Sequence, residues 1–416
     1  MATEPASLED VSQSALKVGR LLFQNNADTE AVETGVERFT RAFGYESHPL
    51  VTYETILLTI ASTEGFRTKA GHRVPAMNVN LAAVTEVNTL IDEVEAGQLA
   101  LADVPGRLEA IEHQKPIYSR WMMVAGLSLT AASLSRLFGG DWPTFLVTFV
   151  AGAVGTWLRQ ELGKHGTNLF LTIFLGAMVS GIVAGLAVHF NLSGMAALCL
   201  VAPGMIIVPG VPLVNCVQDM IKNHMAIGIS RLGLASLITL AIAMGLFVAT
   251  AITGAQIPVA EAGAQIPVLE DAIFSALAAV GYLFIFNVPI RLAWVGVLCG
   301  VASHTTRTFC EQIGINIVTG SLIGALAVGF LAQGFARYFR APASAFAFPG
   351  VVAMIPGAFA FRAVIGYIQI IKSGSGADLP LVAETLSLSA TTIFMVLAIA
   401  IGVAAPLILL RKAEHS

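Results

Sequence analysis

Asn215 and Asp219 stand four residues apart in "VPGVPLVNCVQDM", a spacing that puts an amide and a carboxylate on one helix face. Such a pair can bind an ammonium group, and the carboxylate alone can carry a proton. The surrounding helix is apolar, so Asp219 is expected either in a binding site or as a cap at the helix end. The second candidate is Arg362, in "FAFRAVIG". An arginine at the bilayer centre costs roughly 2.5–3.5 kcal/mol or more. It therefore either faces a cavity, where its fork can clamp a carboxylate through two hydrogen bonds, or snorkels to the interface.

Both residues follow breaks in apolar stretches. "LVAPGMIIVPGVPLVNCVQDM" carries Pro203-Gly204, Pro209-Gly210 and Pro212, and "FAFPGVVAMIPGAFAFRAVIG" carries Pro349-Gly350 and Pro356-Gly357. Proline removes a donor and clashes with the preceding turn. A break at membrane depth is tolerated only where the backbone lines a cavity or is buried in protein. There the half-helix N-terminus offers positive partial charge to a carboxylate, and the unwound carbonyls can take a cation. Two facing breaks would make a midplane site for a small polar solute.

The remaining chain sets the frame. Of its 416 residues, 56% are hydrophobic and 12% charged, against roughly 25% charged in a soluble domain. That points to an α-helical integral membrane protein, with the lipid bilayer as partner and no nucleic acid. Ten apolar runs approach the roughly 20 residues a span needs: 119–137, 142–160, 167–190, 194–218, 230–253, 270–288, 290–305, 315–337, 343–371 and 387–410. With a cytoplasmic N-terminus, eleven basic residues, among them Lys115, Arg159, Lys222, Arg231, Arg291 and Arg337, fall at cytoplasmic ends, and Arg136, Arg307 and Lys372 opposite. This bias predicts a multi-pass protein of the cell (inner) membrane with both termini cytoplasmic and the acidic hairpin 253–271 outside.

A repeat links the two breaks. "GTNLFLTIFLGAMVSG" and "GINIVTGSLIGALAVG" align without a gap at an offset of 148, matching at Gly166/Gly314, Asn168/Asn316, Gly176/Gly324, Ala177/Ala325 and Gly181/Gly329. The proline-glycine pairs follow at 146 and 147, and at 147 Asn215 corresponds to Arg362. Five helices per half invert one half against the other, giving two inverted five-helix repeats (117–255 and 268–412) with broken fourth helices, the build of many secondary transporters. Asn168 and Asn316 either cap the third and eighth helices or project amides into the site. Glycine pairs such as Gly181-Gly185 are packing surfaces that also fit a homo-oligomer.

Residues 1–116 read as a small α+β cytosolic domain: two amphipathic helices within 8–43, broken near Asn25-Asn26 with Asp28 or Thr29 as cap, a hairpin or short sheet in 48–75 turning near Glu64-Gly65, and helix again over 80–113. Its polar candidates, Glu30, Glu33, Glu37, Glu64 and His72, form no nucleophile–base set. His304 and Arg307 are expected near an outer end, with His304 a solvated loop residue. The isolated histidines lack ligand spacing and the four cysteines form no CxxC pair, so no metal or cofactor is expected. The start, "MATEPASLED", has no signal-peptide character.

"VPGVPLVNCVQDMIKNHMAIGISR" resembles the signature of the threonine/serine exporter family, and Pro209, Gly210, Asn215, Asp219 and Arg231 fall on its motif. "ADTEAVETGVERFTRAFGY" and "NLAAVTEVNTLIDEVEAGQLALADVPGRLEAI" resemble the family's hydrophilic N-terminal part, and "FPGVVAMIPGAFAF" its second membrane module, here fused to the first. The resemblance implies about ten membrane helices and export of small polar metabolites, threonine and serine in amino-acid exporters and dicarboxylates such as succinate in two-component relatives, drawing on the proton motive force. The N-terminal part is hydrolase-like in some members, but this chain shows no triad there. The alternative outside transport is a membrane-anchored enzyme or sensor acting through the cytosolic domain. Within transport, a zwitterion would take Arg362 for its carboxylate and Asp219 for its ammonium group or for the coupling proton.

Overall fold

The computed structural model describes residues 7–62, 65–71, 74, 78–255, 265–339 and 341–412. The N-terminal unit opens with α1 (Leu8–Gln24) and α2 (Thr29–Ala42). Ser7 caps α1 by accepting from the Asp10 amide, and Asp28 caps α2 by accepting from the Ala31 amide. Between them Asn26 takes φ 70°, the left-handed conformation that asparagine tolerates. Both helices turn apolar stripes inward, Val11, Ala15, Val18 and Leu22 on one, Val32, Val36 and Phe39 on the other.

Of the expected hairpin or short sheet the structure shows the sheet, a three-stranded antiparallel meander of β1 (Glu46–Val51), β2 (Ile56–Ser62) and β3 (Gly65–Ala70), in the order β1-β2-β3. Alternate residues Ile56, Leu58 and Ile60 of β2 are buried on the helices, the period-two pattern of a half-buried strand. Then come α3 (Leu81–Glu95), capped by Asn80, and α4 (Val104–Glu112). The unit has its own hydrophobic core, joined from outside by Ile227.

Twelve helices follow: α5 (Arg120–Leu137), α6 (Trp142–Lys164), α7 (Leu169–His189), α8 (Ala196–Met205), α9 (Gly210–Ile221), α10 (Met225–Thr253), α11 (Val268–Ile285), α12 (Ile290–Gln312), α13 (Ile317–Phe339), α14 (Ser344–Val352), α15 (Gly357–Ser373) and α16 (Leu379–Lys412). By length and composition α7, α10, α11, α13 and α16 can each cross a membrane, and the bent pairs α8–α9 and α14–α15 raise this to as many as seven spans. The other three helices, α5, α6 and α12, overlap the apolar runs 119–137, 142–160 and 290–305 but are not apolar enough to count, so ten spans exceed what length and composition show. Polar residues lower their apolar character, among them Arg120 on α5, Arg159 on α6, and His304 and Arg307 on α12.

The starts of α11, α12, α13 and α14 each fall 148 residues after those of α5, α6, α7 and α8, and α15 starts 147 after α9. Packing follows the same correspondence. α6 lies on α5 and α7 as α12 lies on α11 and α13, and α7 pairs with α10 as α13 pairs with α16. The halves meet along α5 and α11, where Thr130 donates to the carbonyl of Ala278, itself 148 residues on, at 2.9 Å. Gly126 and Gly281 sit at this crossing, and a Cβ on Gly281 would strike the Gly126 backbone. Each half also reaches across, α9 onto α16 and α15 onto α10.

Candidate functional site

The two breaks share one geometry. Pro209 has φ −75° and ψ 63° and Pro356 φ −77° and ψ 49°, the inverse γ-turn. The Gly210 amide donates to the Val208 carbonyl and the Gly357 amide to that of Ile355, both at 2.7 Å. Bends of 65° and 51° result. Pro203, Gly204, Pro349 and Gly350 lie inside α8 and α14 and are buried. The breaks also face each other: a Cβ on Gly210 would meet Ile355 and Val352, and one on Gly357 would meet Val208 and Met205. Their meeting point is apolar and close-packed.

A cavity of about 210 Å³ lies on one side of this pinch. Ala197 and Val201 of α8, Ala358 and Arg362 of α15, and Arg307, Thr308 and Glu311 of α12 line it. Arg307 exposes 4% of its side chain, and its Nε and Nη1 have no hydrogen-bond partner. The same holds for Oε1 of Glu311, 3.9 Å from Arg307 Nε. Arg362 approaches Glu384 of α16 at 3.7 Å. Two guanidinium groups and one carboxylate thus line one small cavity.

Behind Arg307 lies a buried polar cluster. Asp271 Oδ2 is 2.7 Å from His304 Nδ1 and accepts from Thr308 at 2.6 Å, and its Oδ1 accepts from Ser275 at 3.2 Å. Arg307 Nη2 contacts His304 Nε2. A guanidinium only donates, so Nε2 accepts. The ring proton then sits on Nδ1 and points at Asp271, which fixes a neutral tautomer. His304 is fully buried in the middle of α12 and not in a solvated loop. Asp271 lies in the first turn of α11 instead of ending a solvent hairpin, whose residues 256–264 lie outside the described ones. The missed signal is spacing: His304, Arg307, Thr308 and Glu311 form an i, i+3, i+4, i+7 stripe in the polar C-terminal half of α12, facing Asp271 and Ser275 at i, i+4.

Asn215 and Asp219 occupy a different place, the seam between α9, α10 and the N-terminal unit. Both are fully buried, as is Arg231. Asn215 donates to the Asn26 carbonyl at 3.0 Å. The Thr29 amide donates to Asp219 Oδ1 at 3.1 Å, so Asp219 sits at the N-terminus of α2, where the helix dipole favours a carboxylate. Arg231 Nε lies 3.2 Å from Asp219 Oδ2, while its Nη1 and Nη2 donate to Asn26 Oδ1 and to the Ala27 carbonyl. The guanidinium stacks over Phe23 at 5.3 Å. At the rim, Lys222 pairs with Asp28 at 3.2 Å and with Glu30 at 2.6 Å. Burial pushes the Asp28 carboxyl up, but Lys222 and the Ala31 amide outweigh it and hold the group below its ordinary value. Burial likewise opposes the charge on Lys222, and Asp28 and Glu30 hold its ammonium above the usual lysine range.

A second clamp ties the unit to the other half. The Leu81 and Ala82 amides at the start of α3 donate to the carbonyls of Phe286 and Asn287 at 2.9 and 3.1 Å. The Asn287 side chain donates to Asn80 and accepts from the Ile117 amide, each at 2.8 Å. A further cavity of about 580 Å³ opens along this seam, walled by α2, α3, α9, α13 and α14.

Asn168 and Asn316 cap α7 and α13, accepting from the Phe170 and Thr319 amides. Both are exposed. Glu64 and His72 lie outside the described residues. Arg362 therefore joins a cavity, while Asp219 and Asn215 join a docking seam, and no described contact brings Asp219 and Arg362 together.

Paired broken helices with polar cavities on either side are the construction of a membrane transport protein. A family model described as putative threonine/serine exporter matches residues 13–253, and one described as threonine/serine exporter, ThrE, matches residues 271–409. The chain belongs to the threonine/serine exporter family. It is 29% identical over 260 residues to the probable succinate transporter subunit YjjP of Klebsiella aerogenes, covering 61% of this chain and 98% of that protein. The YjjP of Escherichia coli is 29% identical over 59% of this chain and 95% of its own length. A probable threonine/serine exporter of Mycobacterium tuberculosis is 26% identical over 76% of this chain and 62% of its own length. No solved structure matches the chain.

Proposed function

We propose that the chain is a secondary exporter of threonine, serine or similar small amino acids, working by alternating access and driven by the proton motive force. It spans the inner membrane ten times as two inverted five-helix repeats, with both termini and the N-terminal unit in the cytoplasm. The common offset of the helix starts and the matched turns at Pro209 and Pro356 support the repeat. Three polar spanning helices are in keeping with it, since in a transporter such helices pack around the path and away from lipid.

The observation that carries the substrate class is the charge set of the smaller cavity. A zwitterion needs donors for its carboxylate and an acceptor for its ammonium group. Arg307 and Arg362 offer the first, and Glu311 the second. A carboxylate that takes either an ammonium group or a proton, but not both, also supplies proton exchange, so we place coupling at Glu311. Asp219 already has Thr29 and Arg231 as partners.

The second reading is a dicarboxylate exporter. The excess of two arginines over one glutamate and the likeness to the probable succinate transporter subunits favour it.

Counterflow in proteoliposomes preloaded with threonine, serine, succinate or no solute decides between them. Stimulation by threonine or serine, lost in Arg362→Ala, supports the zwitterion site. Stimulation by succinate alone makes the chain a dicarboxylate exporter, and stimulation by none refutes both readings.

A further inference from the structure

The cavity along the seam is the larger of the two polar cavities, about 580 Å³. It is the counterpart of the arginine cavity: Ala343, Ser344 and Ala347 on its wall stand 146 residues after Ala197, Leu198 and Val201, which line the other one, the same offset that separates Pro349 from Pro203. The halves thus present equivalent faces of their first half-helices, one to each cavity. The charge sets also agree in sign. Arg38, Lys222 and Arg337 outnumber Asp28 and Glu30 by one here, as the two arginines outnumber Glu311 in the other.

Its built feature is Gln218 on α9. The residue is 3% exposed and lines the cavity, and its Nε2 has no hydrogen-bond partner. A buried amide donor left unmade costs about 1–3 kcal/mol, a cost that a ligand accepting from Gln218 in the cavity would remove. One turn further, Lys222 stands between Asp28 and Glu30. An amide donor, an ammonium group and two carboxylates within one turn of α9 and the start of α2 match a molecule that carries a carboxylate and an ammonium group.

We infer that the seam cavity is a second binding site for the same zwitterionic amino acid, with Gln218 and Lys222 facing its carboxylate and Glu30 its ammonium group. This inference rests on the proposed amino-acid export. The N-terminal unit then supplies half of a substrate site, which gives residues 8–112 a place on the transport path. Substrate meets the seam cavity first and leaves from the arginine cavity, and the pinch between Gly210 and Gly357 separates the two.

The test is equilibrium binding of radiolabelled threonine to the full-length chain in detergent, in wild type, Arg362→Ala, Gln218→Leu and Gln218→Glu. Two threonines per chain are expected in wild type. Arg362→Ala should remove one. Either Gln218 variant should remove the other, by about tenfold or more in affinity, and keep the Arg362-dependent site. That retained site shows that the variant is folded. One threonine per chain, abolished by Arg362→Ala and untouched at Gln218, overturns the second site and leaves the exporter standing. No binding of threonine or serine by the wild type overturns the amino-acid reading and this inference with it.

Discussion

The carboxylate of Asp219 accepts the backbone amide of Thr29, so a residue of a broken membrane helix completes the start of a helix in the N-terminal unit. Arg231 closes the other side of that carboxylate. Removing one member of a buried pair strands the other, at roughly 3–5 kcal/mol. Asp219→Ala should therefore lower the melting temperature and expose the segment around residues 113–119 to protease, releasing the N-terminal unit. Asp219→Asn keeps an acceptor for Thr29 and should do less damage. Replacing both partners, Asp219→Ala with Arg231→Met, should recover part of the loss. Wild-type melting and protease resistance in Asp219→Ala would refute the docking role.

The rim of the seam carries a pH dependence. Asp28 titrates below its ordinary value of about 3.9 because Lys222 and the Ala31 amide outweigh its burial. A depressed carboxylate contributes stability that is fully present above the unfolded value and lost as pH falls through the folded one. The N-terminal unit should thus loosen below about pH 4. Asp28→Asn keeps the cap on α2, because asparagine caps as well as aspartate, yet removes the titration. Thermal melts at pH 6 and pH 3 should show a larger acid loss in wild type than in Asp28→Asn, and equal losses would exclude the pair as the cause.

Local rules made the breaks legible. Both bends fall at proline-glycine pairs, Pro209-Gly210 and Pro356-Gly357, whereas Pro203-Gly204 and Pro349-Gly350, pairs of the same kind, are carried inside α8 and α14. Asp28 was readable as a cap for the same reason, since capping acts across three residues. What stayed hidden depends on distant partners. Nothing near Asp219 in the sequence announces Thr29, 190 residues earlier, so an aspartate in an apolar segment reads either as a binding residue or as a cap at the helix end. His304 reads as a solvated loop residue because it stands at the predicted outer end of the apolar run 290–305. The stripe it forms with Arg307, Thr308 and Glu311 becomes interpretable only once Asp271, 33 residues away, meets it. Hairpin and short sheet could not be told apart in the sequence because β3 is polar and lies at an edge, where little apolar alternation marks it.

Orientation is open to direct measurement. In the proposed orientation, with eleven basic residues at cytoplasmic ends against three opposite, the 254–267 segment is expected outside and the loop at Asn287 inside. A reporter active only outside the cytoplasm should score when inserted after Ala255 and stay silent after Asn287 or at the C-terminus. Activity at the C-terminus would leave an odd number of spans and break the paired five-helix arrangement.

The pinch between the breaks is the last element with a sharp expectation. Gly210 packs on Ile355 and Gly357 on Val208, so closely that a methyl group at either glycine overlaps its neighbour. Overpacking of this kind costs about 1–3 kcal/mol and would force the two turns apart. Gly210→Ala should lower the melting temperature and reduce counterflow of whichever solute the wild type exchanges. Ile355→Ala removes the side chain that the new methyl group meets. The double variant Gly210→Ala, Ile355→Ala should therefore recover stability and exchange beyond Gly210→Ala alone, a coupling that independent sites do not show. If the two substitutions add instead, the breaks do not bear on each other, and the passage between the cavities must lie elsewhere.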